Sequence, residues 1–167
     1  MAKARPVPGL SADTRFGDAA AAAVEVRAAE VFEHSAGVLD TEDIESVHTM
    51  RVSTRRLRAA LEVFAVCFPQ KEHKRVLKEV KALADVLGER RDPDVAIAAL
   101  AGVADALTEA DRSGIESLAR EFREEQEQGN VALEQALEQA RESNLAQRLA
   151  ALAREAGPVE AERGAPR

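Results

Sequence analysis

Residues 48–64 read HTMRVSTRRLRAALEVF, and this stretch places apolar and basic side chains on separate sides of one helix. At 100° per residue, its large apolar side chains fall within about 60° of one another. They are Met50, Leu57, Leu61 and Phe64. Four basic side chains fall within about 80° on another side. They are His48, Arg51, Arg55 and Arg58. The stretch therefore predicts a long helix with one side in a core and a row of cations on another.

The composition agrees with a helical fold. The chain has 167 residues, of which 46% are apolar and 32% charged, which predicts one soluble globular domain. Aromatic residues make up only 3%, so binding that depends on base stacking is disfavoured. The single cysteine, Cys67, excludes an internal disulfide and a cysteine-cluster zinc site. No run approaches the roughly 18 apolar residues of a membrane span, so we expect a cytoplasmic protein.

Glycine, proline and capping residues divide the chain into six predicted helical segments. They span about 15–37, 41–68, 70–87, 92–107, 113–142 and 143–155. Gly88 is expected to end the third segment, and Asp92-Pro93-Asp94 to begin the fourth. A capping-box pattern, Ser113 with Glu116, is expected to open the fifth. The prediction is an all-α antiparallel bundle of five to six helices over residues 15–156, with mobile tails at 1–14 and 157–167.

The fifth segment contains a polar interruption. No strongly apolar residue stands between Phe122 and Val131, and Gln126 and Gly129 fall where the apolar stripe should continue. Three interpretations stay open for this stretch. It protrudes from the bundle, bends at Gly129-Asn130, or lines a polar space.

The third segment repeats the separation of cations from the core. Lys74, Lys78 and Lys81 share one side, while Val76, Val80, Leu83 and Leu87 share another. Because Pro69 forces a tight turn, the two helices should pair antiparallel, with Arg58 level with Lys81 and His48 level with Arg91. The two rows would then form one strip. The predicted helix start at Pro93 would add free N–H groups for a phosphate oxygen. Asp92 could instead take that position as a cap, or orient Arg91 by a bidentate pair.

Charge is distributed unevenly along the sequence. Residues 48–94 hold 11 basic and 7 acidic residues, whereas the segments before and after are both acidic. A row of lysines and arginines suits a repeated polyanion, although a basic helical face is often only solvated surface. His48 could be a structural histidine rather than a ligand-binding one. His34 and His73 are expected at the surface. Arg56 could pair with an acid on the first helix. Catalytic and cofactor-binding motifs are missing, which disfavours an enzyme, a metal site and a cofactor.

Two segments resemble the signatures of a known family. Residues 48–61, HTMRVSTRRLRAAL, and residues 77–100, especially residues 87–95, LGERRDPDV, are similar to the two motifs of the CHAD domain, the conserved histidine α-helical domain. The resemblance implies a helical domain that binds inorganic polyphosphate through basic residues. It places His48, Arg51, Arg55, Arg56 and Arg58 in the first motif, and Lys81 and Arg91 in the second. Helical geometry adds Lys74 and Lys78. We call these nine residues the basic strip.

One departure from the family pattern bears on assembly. A full CHAD domain contains two related helical bundles around a basic channel, whereas this chain has one His-Arg motif and about half that length. A homodimer could rebuild the second half, with residues 123–130 as a contact region, or the strip could stay open, or the chain could be a remnant. The resemblance also implies association with polyphosphate granules. The alternative function is a helical interaction module that docks an acidic protein surface or a nucleic-acid phosphate backbone.

Overall fold

The computed structural model describes residues 3–158, which form five α-helices and no strand. The helices are α1 (Phe16–Glu33), α2 (Ile44–Val63), α3 (Gln70–Ala104), α4 (Glu109–Glu142) and α5 (Leu145–Arg154). A single 3₁₀ turn, Ala65–Cys67, links α2 to α3. The prediction of an all-α bundle is therefore confirmed. No helix within the described range is both long enough and apolar enough to cross a membrane.

The core lies between α1, α2, the first half of α3, the second half of α4, and α5. Its members are apolar residues at helical spacing, including Val24, Val31, Met50, Leu57, Leu61, Val76, Val80, Leu87, Leu133 and Leu149. Phe16 at the start of α1 contacts Phe64 just after α2, with ring centroids 4.8 Å apart. The first two helices are therefore antiparallel, and α3 returns beside α2 after Pro69, as predicted.

The third and fourth predicted segments are one helix. α3 runs through both Gly88 and Pro93 for 35 residues. The predicted helix end at Gly88 and the predicted helix start at Asp92 are therefore wrong. Gly88 lies within the helix and does not take the predicted left-handed conformation, since the only glycines of the described chain with positive φ are Gly9 and Gly37. Pro93 removes one N–H from the helix. The turn around it is held by a buried ion pair between Arg90, three residues before Pro93, and Asp94, which follows Pro93 directly.

Several other helix ends differ from the predicted ones. Asp43 caps α2 by accepting a hydrogen bond from the Ser46 N–H, so neither Asp40 nor Thr41 begins that helix. α4 begins at Glu109, which places the predicted capping box of Ser113 inside the helix. Gly37 does take the left-handed conformation, with φ of 76°, in the turn after α1.

The chain before α1 makes ordered contacts with the bundle. The Arg5 backbone N–H donates to Glu30 Oε1 at 2.7 Å, and its guanidinium pairs with Glu33. The mobility predicted for residues 1–14 stays a prediction. Most of the predicted C-terminal tail, residues 159–167, lies outside the described residues.

The far ends of α3 and α4 extend beyond the core. No residue from 95 to 125, a range the structure describes in full, is buried. The buried residues of α3 end at Asp94, and those of α4 begin at Gln126. Residues 95–125 therefore form a helical hairpin that projects from the bundle, and we call it the arm.

Candidate anion-binding site

The core side of α2 decides where its cations lie. Val47, Met50, Leu57 and Leu61 are buried, which fixes the rotation of the helix about its axis. Arg55 is consequently exposed, and His48, Arg51 and Arg58 are partly exposed. The periodicity that predicted the core thus also leaves this row of cations in contact with solvent.

Glu62 joins the basic rows of α2 and α3. Its Oε1 lies 3.1 Å from Arg58 Nε and 3.1 Å from Lys81 Nζ. Arg58 and Lys81 are therefore at the same level of the helix pair, as predicted from the antiparallel turn. Hydrogen bonds from Lys81 and then from Arg58 hold the pKa of the Glu62 carboxyl below its usual range. Two of the nine strip residues thus share one internal anion, Glu62.

Lys74 and Lys78 are both exposed and line a shallow groove on α3 together with Lys81. Glu72 and Glu79, on another side of α3, pair with Arg148 of α5. Arg148 Nε lies 2.7 Å from Glu72, and its Nη1 lies 2.6 Å from Glu79. These acids raise the pKa of Arg148, chiefly through the hydrogen bond to Glu79. Glu72 and Glu79 are therefore neutralised by Arg148 rather than by the lysines of the strip. One other acid of α3, Asp85, lines the lysine groove and forms no ion pair among the described residues.

Four cations of the strip have no anionic partner within residues 3–158. Arg51, Arg55, Lys74 and Lys78 form neither an ion pair nor a side-chain hydrogen bond there. Exposed side chains of this kind remain hydrated and available to an external anion. These four residues are the part of the strip with the most unneutralised charge.

The end of the strip near the arm is arranged differently from the prediction. Arg91 Nη1 donates to the Ile44 carbonyl oxygen at 3.0 Å and lies 3.8 Å from Asp94 Oδ2. Arg91 therefore meets the start of α2, one helical turn before His48. Since α3 is continuous here, the predicted phosphate site on free N–H groups at Pro93 is wrong. Asp92 is exposed and caps nothing, because α3 continues through it. Asp94, not Asp92, pairs with Arg90 and Arg91.

Arg56 lies towards α1 rather than along the row. Burial opposes ionisation of Glu30 on α1, but Arg5, Arg27 and Arg56 together lower the pKa of its carboxyl. The alternative of an acidic partner on the first helix thus has support for Arg56.

His73 and Cys67 are both buried, whereas His34 is partly exposed. His73 is buried, with Nε2 2.8 Å from the Leu61 carbonyl oxygen and its ring stacked on Phe68, so its predicted surface position is wrong. Cys67 is buried, as predicted. Within residues 3–158, no group of three His, Cys, Asp or Glu side chains could hold a metal ion.

A buried polar cluster joins α3 to α4 beside the strip. Its members are Arg90, Asp94, Gln126 and Asn130. Arg90 and Asp94 are fully buried, with Arg90 Nη1 2.5 Å from Asp94 Oδ1. Gln126 Nε2 donates to the same Asp94 oxygen at 2.6 Å, and Arg90 Nε donates to Asn130 Oδ1. Asn130 Nδ2 in turn donates to the Leu39 carbonyl oxygen before α2.

Close helix packing at the cluster depends on Gly129. A Cβ at this position would lie 3.2 Å from Arg90 Cδ and 3.3 Å from Arg90 Cα. The polar interruption of α4 therefore lines a polar space, which was one of the three open interpretations. Sequence reasoning missed Arg90 and Asp94 because it assigned their segment to a helix boundary. The signal that could have found them was Gln126 and Asn130 at core spacing.

Comparison with known proteins identifies the family of this chain. A family model described as "CHAD domain" matches residues 22–167. Uncharacterized protein Rv2226 of Mycobacterium tuberculosis (strain ATCC 25618 / H37Rv) is 45% identical over 51 residues. That match covers 30% of this chain and only 10% of the relative. No solved structure matches. Since the family model covers nearly the whole chain, the protein belongs to the CHAD domain family, which is associated with polyphosphate binding.

Proposed function

We propose that this chain binds inorganic polyphosphate, without catalysing its turnover, through the basic strip on α2 and α3. The observation that supports this most is the separation of charge around α3. Lys74 and Lys78 lie unpaired on one side, whereas Glu72 and Glu79 are occupied by Arg148 on another. The lysine side therefore keeps its positive field although the chain as a whole carries a net charge of −7.

The length of the strip favours a polymer over a single anion. From Lys74 to Arg91, α3 rises about 26 Å at 1.5 Å per residue. One phosphate group can meet only two or three of the cations spread over that distance. A chain of linked phosphates can follow the row and bind several cations at once, which raises its affinity through effective concentration.

The proposal also covers the location of the protein. A polyphosphate-binding protein in the cytoplasm would collect on polyphosphate granules wherever these form. Family membership supports a binding role, because CHAD domains are generally binding domains rather than catalytic ones. Glu62 pairs with both Arg58 and Lys81, so a bound polyphosphate would compete with it for these two cations.

Titration of the full chain with four anions at equal phosphate concentration tests the proposal. Long-chain polyphosphate should bind at least about tenfold more tightly than orthophosphate, duplex DNA or RNA. The logarithm of the association constant should fall linearly with the logarithm of salt concentration, since each bound cation releases counterions. Equal affinity for orthophosphate and the long polymer would contradict the proposal. Preference for DNA or RNA would favour the nucleic-acid alternative.

A further inference from the structure

The last ten residues of α3 have an unusual composition. Residues 95–104 read VAIAALAGVA and contain no charged or polar side chain. A helix that is apolar on every side is ordinarily buried on every side. Here none of the ten residues is buried, and Val95 and Val103 are 53% and 48% exposed. The stretch therefore presents an apolar surface to solvent.

The facing part of α4 adds to this surface without covering it. Ile115, Leu118 and Phe122 recur at helical spacing, but Leu118 is 40% exposed and the other two are only partly buried. Two helices alone cannot enclose their shared apolar side. Exposed apolar surface that continues over two helices is typical of an interaction site.

Neither end of the described chain covers the arm. The Gly157 N–H donates to the Cys67 carbonyl oxygen at 2.8 Å, which places this end of the described chain near the start of α3. Val95 lies about 38 Å along α3 from its first residue, and Val103 about 50 Å. At the other end, Arg5 is held on α1 by Glu30 and Glu33. Residues 95–104 accordingly include no buried residue.

The charge of the arm narrows the choice of partner. Residues 95–125 hold seven acidic and three basic residues, which disfavours a polyanion or an acidic protein here. All ten charges lie outside residues 95–104, so two copies can bring this stretch together without burying an ion. A second copy thus fits this surface in both polarity and charge.

We propose that the arm is a self-association surface, on which two copies pair their α3–α4 hairpins around residues 95–104 to form an intermolecular four-helix bundle. Such a bundle encloses an apolar side that neither hairpin encloses alone. A two-fold arrangement is the commonest for identical chains. It leaves the acids of α4 at the rim of the contact, and it lies outside the basic strip.

The dimensions predict a reversible dimer. The α4 part of the arm is about 24 Å long, and two helices side by side are about 20 Å wide. Their contact would bury about 500 Å² on each copy, or about 1,000 Å² in total, which is below the size of stable interfaces and in the range of weak, transient ones. We therefore expect dissociation in the micromolar range, with tighter association as salt screens the acidic rims.

Sedimentation equilibrium of the full chain without any polyanion tests this proposal. Between about 10 and 200 µM, the mass should rise from the 18.0 kDa of one chain towards twice that value. Val95→Glu with Val103→Glu should abolish the rise, because it places charges on the pairing surface. Val131→Glu is the matched control, since Val131 is 56% exposed on α4 but outside the arm, and it should leave the dimer intact.

Hydrogen exchange keeps the test decisive if the double variant unfolds. In the wild-type chain, amides of residues 95–104 should exchange more slowly as concentration rises, while those of the exposed chain before α1 should not change. A chain that stays monomeric at the highest concentration would overturn the proposal, as would a dimer unaffected by the double substitution. The opposite salt dependence separates this result from polyphosphate binding, which salt weakens.

Discussion

The two parts of α3 differ in how their apolar residues are arranged. In residues 70–94, apolar residues recur on one side and lysines on another, and the apolar side is buried in the core. In residues 95–104, every residue is apolar, yet none is buried. Burial within one chain thus follows the amphipathic period, because neighbouring helices pack on the apolar side. Residues 95–104 have no distinct apolar side, and they extend beyond the bundle.

The boundary between these parts is the buried polar cluster. Arg90 and Asp94 end the packed part of α3, and they bind Gln126 and Asn130 where α4 enters the core. Arg90 Nη2 has no hydrogen-bond partner among the described residues, and Asp94 Oδ2 accepts none there. The cluster holds α3 and α4 in register at the base of the arm, and Asp94 places Arg91 at the start of α2.

Removing the Asp94 carboxylate from the cluster should have the largest effect on stability. Asp94→Ala should lower the free energy of unfolding by about 3 to 5 kcal/mol, because it leaves the buried Arg90 unpaired. Denaturant unfolding measures the loss. Asp92→Ala is the matched control, since Asp92 is exposed two residues earlier, and it should change stability by less than about 0.5 kcal/mol. Equal effects would show that the cluster is not structural.

Removing the Glu62 carboxylate tests whether this internal anion competes with polyphosphate for the basic strip. Glu62→Gln frees Arg58 and Lys81, so polyphosphate affinity should rise about two- to tenfold, whereas most changes in the strip should lower it. Because the pKa of Glu62 lies below its usual range, this gain should stay constant from about pH 7 to pH 5. It should shrink only at lower pH, where the wild-type carboxylate takes up a proton.

Calorimetric or fluorescence titration measures that gain. Glu121→Gln on the arm makes the same change in net charge and should leave the affinity unchanged. An unchanged or weaker affinity in Glu62→Gln would show that Glu62 does not compete with the ligand.

A smaller effect on stability is expected at two helical glycines, Gly88 on α3 and Gly129 on α4. Gly88→Ala should stabilise the protein by about 0.5 to 1 kcal/mol, since nothing lies within 4 Å of its added Cβ. Gly129→Ala should lose this gain or destabilise, because its Cβ would press on Arg90. Thermal unfolding of both variants measures the difference. Equal stabilisation would contradict close packing at Gly129.

Much of the fold follows from residues near one another in sequence. The core sides of α2 and α3 were predictable because the rotation of a helix follows directly from the spacing of Met50, Leu57 and Leu61. The level of Arg58 with Lys81 followed from Pro69, since a short turn leaves little freedom in register. These predictions use only local geometry.

The cluster was not predictable in the same way. Asp92-Pro93-Asp94 has the local pattern of a helix start, and only a tertiary contact with Gln126 and Asn130 reveals that Asp94 is a buried partner instead. Likewise, nothing near Glu72 and Glu79 indicates that Arg148, some 70 residues later, neutralises both. Long-range polar contacts of this kind override local capping signals.

Charge reversal on the strip compared with the arm tests the central claim most directly. The strip variant carries Arg55→Glu and Lys78→Glu, and the arm variant carries Arg112→Glu and Arg120→Glu. Both change the net charge by the same amount, and circular dichroism should show the same helicity in both. The strip variant should bind long-chain polyphosphate at least about 30-fold more weakly, with a shallower salt dependence, because two phosphate contacts become repulsive. The arm variant should stay within about threefold of wild type. Equal losses in the two variants would contradict the account, because binding would then follow overall charge and not the basic strip.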